Sequence, residues 1–258
     1  MNWIKFVGTA GARWVVAKQL RSSGGIWISL QGTHLFMDPG PGALVRCLSS
    51  QPPLDPTHLD GILLSHKHLD HAGDVNALIE AMTEGGYRQR GVLFATEDAL
   101  ESDPVVFRYL RSYVRRIEIL KEYQTYHLRD LRFSTARRHL HSVETYGVNF
   151  LLPRCMVSYI TDTKFYPELI QEYPGKVLLL NVVLLTEPSH PIDHLSLKDV
   201  ETILKESPAE VVVLTHFGLR FLEAGPQRIA ERLSQDYGKR VIAAEDGMVI
   251  ELDPFLRP

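Results

Sequence analysis

Three short apolar runs of this chain each end on side chains suited to holding a metal ion, and that recurrence limits the possible fold more than any other feature. Gly61-Ile62-Leu63-Leu64 leads into Ser65-His66-Lys67-His68-Leu69-Asp70-His71-Ala72-Gly73-Asp74, Val157-Ser158-Tyr159-Ile160-Thr161 ends on Asp162, and Val211-Val212-Val213-Leu214-Thr215 ends on His216. Open α/β sheets place reactive groups at such strand ends. The first run holds three histidines and a carboxylate within six residues, and these are ligands that zinc, manganese and iron accept. In an extended loop His66 and His68 project to the same side and can chelate one ion. Asp70 and His71, further along the turn, can be presented to a second. The helical zinc motif, with histidines four apart and a glutamate between, is absent.

Elsewhere the pattern alternates short strands with helices. Residues 3–7, 14–17, 26–30 and 34–37 read as early strands, with Gln31-Gly32-Thr33 as a turn. Residues 43–49 read as a short helix, 61–64 as a buried strand, 74–83 as a helix stopped by Gly85-Gly86, and 92–95 as a strand. A longer helix is expected from Asp103-Pro104 to about residue 116. Later strands are expected at 148–152, 157–161, 176–183, 211–215, 241–243 and 248–252, with helices at 197–206 and 226–235. No repeat, low-complexity tract or linker interrupts the order, which reads as one domain over residues 1–258.

His66-x-His68-x-Asp70-His71 after a hydrophobic strand resembles the metallo-β-lactamase superfamily of two-metal hydrolases. The downstream His141, Asp162 and His216 match that family's remaining ligand positions in order, and Gly8-Thr9-Ala10-Gly11-Ala12-Arg13 and Asp38-Pro39-Gly40-Pro41-Gly42 resemble further family segments. The resemblance implies an α/β (α+β) four-layer αββα sandwich of two mixed β-sheets flanked by helices. It implies two divalent metal ions, zinc first, with manganese or iron as alternatives. His66, His68 and His141 would hold one ion, Asp70, His71 and His216 the other, and Asp162 would bridge them. A hydroxide shared between the ions would be the nucleophile, with Asp70 also orienting it. Asp38 is either a neighbour that fixes a ligating histidine or a turn residue.

Within the superfamily, the segment His190-Pro191-Ile192-Asp193-His194-Leu195-Ser196 is similar to the site of ribonuclease Z and of the cyclic-phosphate phosphodiesterases of phosphonate breakdown, where an extra histidine protonates the leaving oxygen. An alkoxide leaves a phosphodiester poorly, so a general acid is useful there, and His194 is the candidate. The alternative for His194 is a cap on the helix near Ser196, and His190 is a competitor for the acid role. His141 and Asp162 stand 21 residues apart, which leaves no room for the long glycine- and proline-rich arm of ribonuclease Z. The compact spacing resembles the cyclic-phosphate enzymes, although their cysteine-rich zinc site is missing. The expected activity is a phosphodiesterase for a small nucleotide, cyclic phosphate or RNA end. The alternatives are a lactone, ester or thioester hydrolase and a metal-binding protein without turnover. An oxygen-reducing di-iron protein fits less well, since those relatives usually carry glutamate where His68 stands.

The remaining features are bland. Net charge is -3, so nothing advertises a nucleic-acid partner. Cys47 and Cys155 read as small core residues. The N-terminus lacks a signal peptide's apolar core, and no stretch reaches the length of a membrane span. A cytoplasmic protein fits these traits; the oligomeric state is open, with a homodimer among the assemblies that the family resemblance suggests. Arg108, Arg111 and Arg115 are spaced to share a helix face, with Arg116 adjacent, and read as solvated surface. Arg137 and Arg138, near His141, are stronger candidates to bind substrate phosphate. His34, His58, His127 and His139 fit no ligand position, though His139 could share a strand face with His141.

Overall fold

The computed structural model describes residues 2–189 and 192–256. Fourteen strands form two seven-stranded sheets among the described residues. The first sheet takes β1 (Trp3–Phe6), β2 (Ile26–Leu30), β3 (Thr33–Met37), β4 (Gly61–Leu63), β5 (Val92–Ala95) and β6 (Arg116–Ile119). The second takes β7 (Thr125–Leu128), β8 (Leu131–Thr135), β9 (Val148–Leu151), β10 (Met156–Ile160), β11 (Val177–Asn181), β12 (Val211–Thr215) and β13 (Arg240–Ala243), after which β14 (Val249–Glu251) returns to pair with β1. Both sheets are mixed. β14, β1, β2 and β3 pair antiparallel and β3 to β6 parallel. Strands β7 to β10 repeat the antiparallel half and β10 to β13 the parallel half.

Burial explains the layering. The parallel strands β11 and β12 are buried at every position, as strands covered on both faces must be. In β7 buried and exposed residues alternate, because one face packs and the other is wet. Phe94, Phe133, Phe150, Leu179 and Val213 belong to a core between the sheets. Helices α1 (Ala12–Ala17), α2 (Ala43–Ser49), α3 (Leu69–Ala72), α4 (Val75–Met82) and α5 (Glu97–Leu100) interleave with the strands of the first sheet. Leu78, Ile79 and Met82 of α4 pack with Phe36 and Ile62 in a second apolar layer. Helices α6 (Leu169–Glu172), α7 (Leu197–Glu206), α8 (Leu219–Ala224) and α9 (Pro226–Tyr237) interleave with the second sheet, and α10 (Asp253–Leu256) follows β14. Ile203, Leu204, Ile229 and Leu233 cover that sheet. Burying each such side chain contributes about 1.5–3 kcal/mol. The four-layer sandwich expected from the sequence is the observed fold.

Two expected elements are corrected. Residues 14–17 are helical in α1, not a strand. Their aromatic and β-branched residues suit a strand, but only Val15 is buried and Trp14 points to solvent. The long helix from Asp103 to 116 does not form, and Arg108, Arg111 and Arg115 share no helix face. Val106, Leu110 and Val114 are buried at a spacing of four, which mimics a helix. Arg111 instead ties the segment down through the carbonyls of Leu100 and Val106, a 3₁₀ turn covers Arg108–Ser112, and the chain continues as β6. Strands β6, β7 and β8 carry too many polar residues on their wet faces for hydrophobicity to reveal them.

Candidate metal centre

The loops that leave β4, β8, β10 and β12 bring the expected ligands together, and the loop after β3 adds Asp38 behind them. Asp162, just beyond β10, lies at the middle. Its Oδ2 stands 3.9 Å from His66 Nε2, 3.5 Å from His71 Nε2, 3.5 Å from His216 Nε2 and 3.5 Å from His194 Nδ1. His141 Nε2 lies 3.1 Å from His68 Nδ1, and His216 Nε2 lies 3.5 Å from Asp70 Oδ2. Three sets have their ligand atoms within 4.8 Å of one another: His66 with His68 and His141, His66 with His71 and Asp162, and Asp70 with His71 and His216.

The far side of each ring decides which nitrogen faces inward. Ser65 Oγ donates to Asp38 Oδ2 at 2.7 Å, so at 3.0 Å it accepts from His66 Nδ1. His71 Nδ1 donates to Asp38 Oδ2 at 3.0 Å, and His141 Nδ1 donates to the Asp193 carbonyl at 2.9 Å. Each bond places the ring proton outward and leaves Nε2 to ligate. His66 Nε2 is buried with no hydrogen-bond partner, a costly arrangement unless a cation accepts its lone pair. Burial holds His66 and His68 below the usual histidine range and pushes His141 down to about 4, so these three are neutral. Burial opposes a charge on His71, yet Asp162 and Asp38 outweigh it and hold that ring well above its ordinary value. Burial likewise opposes ionised Asp162, but His216, His194 and His71 keep its carboxyl well below the usual range. Neutral imidazoles around ionised carboxylates, with positive charge favoured between them, fit a divalent cation.

Asp38 is a positioning residue rather than a turn residue alone. It is buried in the left-handed region at φ 53. Its Oδ1 accepts from the Ser65 backbone at 2.7 Å, and its Oδ2 also accepts from Tyr159 Oη at 3.3 Å. Asn181 at the end of β11 escapes sequence reasoning; its Nδ2 donates to Asp162 Oδ1 at 2.9 Å. The available signal was its place at the end of an apolar run, as for the ligands. Gly11 and Gly40 explain two of the segments singled out in the sequence. A Cβ at Gly11 would meet the His216 carbonyl at 2.0 Å, and one at Gly40 the Asp70 carbonyl at 2.1 Å.

The other candidates separate cleanly. Ser196 caps α7 with its own capping box, exchanging hydrogen bonds with Asp199, so His194 is not needed as the cap. His190 lies outside the described residues. His139 is buried behind the site, its Nδ1 against the Asp162 carbonyl at 3.2 Å and its Nε2 against Tyr173 Oη at 2.8 Å. His34 accepts from Trp27 Nε1, and His58 and His127 lie in a 3₁₀ turn and on β7. Arg137 is engaged by Glu168 at 3.7 Å and lies over the Tyr166 ring, and the Arg138 side chain is exposed.

A sandwich of two mixed sheets with a histidine and aspartate cluster at its strand ends defines a class of divalent-metal hydrolases. The chain belongs to the metallo-β-lactamase superfamily: residues 33–217 match the family described as the beta-lactamase superfamily domain. It is 28% identical over 257 residues to the uncharacterized protein MJ1374 of Methanocaldococcus jannaschii, covering 96% of this chain and 94% of that one. In structure it is similar to the metallo-beta-lactamase fold protein YhfI from Bacillus subtilis, with a TM-score of 0.78 at 17% identity over 96% of this chain and 98% of the other. It is also similar to a diphosphatase from the PhnP family, with a TM-score of 0.69 at 19% identity over 97% and 98% of the two chains. The short form of human tRNase Z gives 0.70 at 18% identity over 96% and 98%. No helix among the described residues is long and apolar enough to cross a membrane.

Proposed function

We propose that this protein is a binuclear metal-dependent phosphodiesterase for a small nucleotide, a cyclic phosphate or an RNA end. The observation that carries the reading is the place of His194, whose Nδ1 lies 3.5 Å from the Asp162 carboxylate yet has no hydrogen-bond partner. His66, His68 and His141 would hold one divalent ion, Asp70, His71 and His216 the other, and Asp162 would serve both; zinc suits this set, with manganese or iron as substitutes. Bound there, the ions would supply an activated water and offset charge on the phosphoryl oxygens. The chain's own contributions are distinct. Asp38, Ser65 and the Asp193 carbonyl hold ring protons outward, Asn181 fixes the rotation of Asp162, and Asp70 orients the attacking water. His194 carries a proton to the leaving alkoxide, the step that most distinguishes a phosphodiester from a strained lactone. Burial lowers the affinity of His194 for its proton, and an anionic substrate beside it acts in the opposite sense. The fold is shared with a PhnP-family diphosphatase and a tRNase Z, in keeping with this choice.

The test is turnover of a chromogenic phosphodiester by protein loaded separately with zinc and manganese, with bound metal counted by mass spectrometry and Asp162→Ala as control. Turnover that needs metal and disappears in the variant is expected. Two bound ions per chain without phosphodiester turnover would transfer the search to lactones and thioesters.

A further inference from the structure

Far from the metal centre, a cavity of about 600 Å³ opens where the parallel half of the first sheet meets the β7–β8 hairpin. Four arginines line it, Arg90, Arg115, Arg116 and Arg129, against one carboxylate, Asp60. It lies at the starting ends of β4 and β5, since Asp60 precedes Gly61 and Gly91 precedes Val92. His66, His68, Asp70 and His71 of the metal centre follow the opposite end of β4.

The pairing of the guanidiniums is uneven. Arg129 Nη1 meets Asp60 Oδ1 at 3.0 Å, and Arg116 Nε meets Glu118 Oε1 at 2.7 Å. Arg90 is half-buried, and its guanidinium donates to the neutral carbonyls of Thr57 and Leu59 and makes no ion pair among the described residues. The nearby Asp55 is occupied by the backbone and hydroxyl of Thr57. Arg115 is exposed and makes no ion pair among the described residues, and its backbone N–H donates to the Gly91 carbonyl, which sets it beside Arg90. Arg115 is therefore without a paired carboxylate, while Arg90, which feels the already hydrogen-bonded Asp55 nearby, is fixed in place before any ligand arrives. Preorganised guanidinium forks match phosphate oxygens in pairs. The floor is apolar, formed by Val92 and Leu128 of the inter-sheet core.

We infer that this cavity is a second anion site that takes a phosphorylated small molecule of nucleotide size, its phosphates on Arg90 and Arg115 and its apolar body on Val92 and Leu128. The volume falls within the ordinary range of about 300–1,000 Å³ for small-molecule sites. The chain as a whole carries a net charge of -3, which disfavours a long polyanion over a compact one.

The probes are ADP and inorganic pyrophosphate, titrated calorimetrically into the metal-loaded protein and into an Arg115→Ala/Arg116→Ala variant. Both replaced side chains are exposed, so the variant is expected to fold and to retain its bound metal and phosphodiester turnover. ADP is expected to bind more tightly than pyrophosphate, and both to weaken by about tenfold or more in the variant, the loss of one good charge-assisted contact. In Asp60→Asn, which keeps an oxygen for the His34 backbone N–H, affinity is expected to rise. Binding that is equal in wild type and double variant belongs to the metal centre and overturns the proposal. Binding by neither probe, or only by oligonucleotides with affinity growing with length, overturns it as well.

Discussion

The first sheet carries opposite chemistry at the two ends of its parallel strands. Where β3 and β4 finish, Asp38, His66 and His71 are buried, and neighbours hold Asp38 and the outward ring nitrogens while His66 Nε2 is left without a partner. Where β4, β5 and β6 begin, Asp60, Arg90 and Arg116 surround an open cavity in which four arginines face one carboxylate. One end is a rigid set of acceptors for a cation. The other is a looser set of donors for an anion. The difference shows that a single sheet can hold two sites of opposite sign because the strands between them are apolar and exclude any direct contact of the charges.

The comparison breaks hardest at Asp162. Replacing it with alanine removes the shared carboxylate, and phosphodiester turnover is expected to fall by about 10³-fold or more, the scale of losing a main electrostatic element, with bound metal reduced in parallel. Asp38→Asn and Asn181→Ala act one layer further out, on the orientation of His71, Ser65 and Asp162. Each is expected to weaken metal affinity by about 10–100-fold, read from competition with a chelator. A smaller effect on affinity but a direct one on folding is expected from Gly11→Ala, whose methyl would lie 2.0 Å from the His216 carbonyl. The strain should cost about 1–3 kcal/mol in urea unfolding and shift the position of His216. Arg115→Ala should leave folding within about 0.5 kcal/mol of wild type, as surface changes do, which would sharpen the contrast between the two ends.

A further effect, confined to high pH, concerns neither end. Cys47 lies in the layer beneath the first sheet, and burial pushes its thiol from 9.0 up to about 12. The folded state favours the neutral thiol, so this contribution to stability is complete below pH 9.0 and is lost as pH rises towards about 12. The gap in urea midpoint between wild type and Cys47→Ala should narrow across that window, and the thiol should resist alkylation at pH 8.

Most of the candidate ligands are readable because they follow an apolar run short enough to be a strand, whereas His141 comes before one, and spacing alone predicts the pairing of His66 with His68. The antiparallel halves were harder. In β7 and β8 the wet face carries Thr125, His127, Arg132 and Ser134, and the connection is Arg129-Asp130, with Arg129 at φ 51, lacking the Asn-Gly signal of a tight hairpin. The arginine cavity was not legible at all. Arg90, Arg115, Arg116 and Arg129 come from three separate connections, and the only pattern joining Arg108, Arg111 and Arg115 was a helix that the buried Val106, Leu110 and Val114 imitate. Asp38 is visible as a polar residue at a strand end and Asn181 is not singled out, and the partners of both are fixed by sheet register, which no local pattern encodes.

The order of the strands also governs how the protein is made. Strands β1 to β6 are contiguous in the chain, yet β1 gains its second neighbour only when β14 arrives, through the pairing of Trp3 with Glu251, Ile4 with Ile250 and Lys5 with Val249. During synthesis the free edge of β1 must therefore wait for almost the whole chain, presenting unpaired backbone groups that invite association with other strands. Asn2 meets the same late segment, its backbone and side-chain nitrogens both donating to Asp253 Oδ1 at 3.0 and 2.9 Å. The last strand thus acts as a clasp, and a ribosome-bound chain that ends before residue 249 is the form in which this protein is most exposed to aggregation.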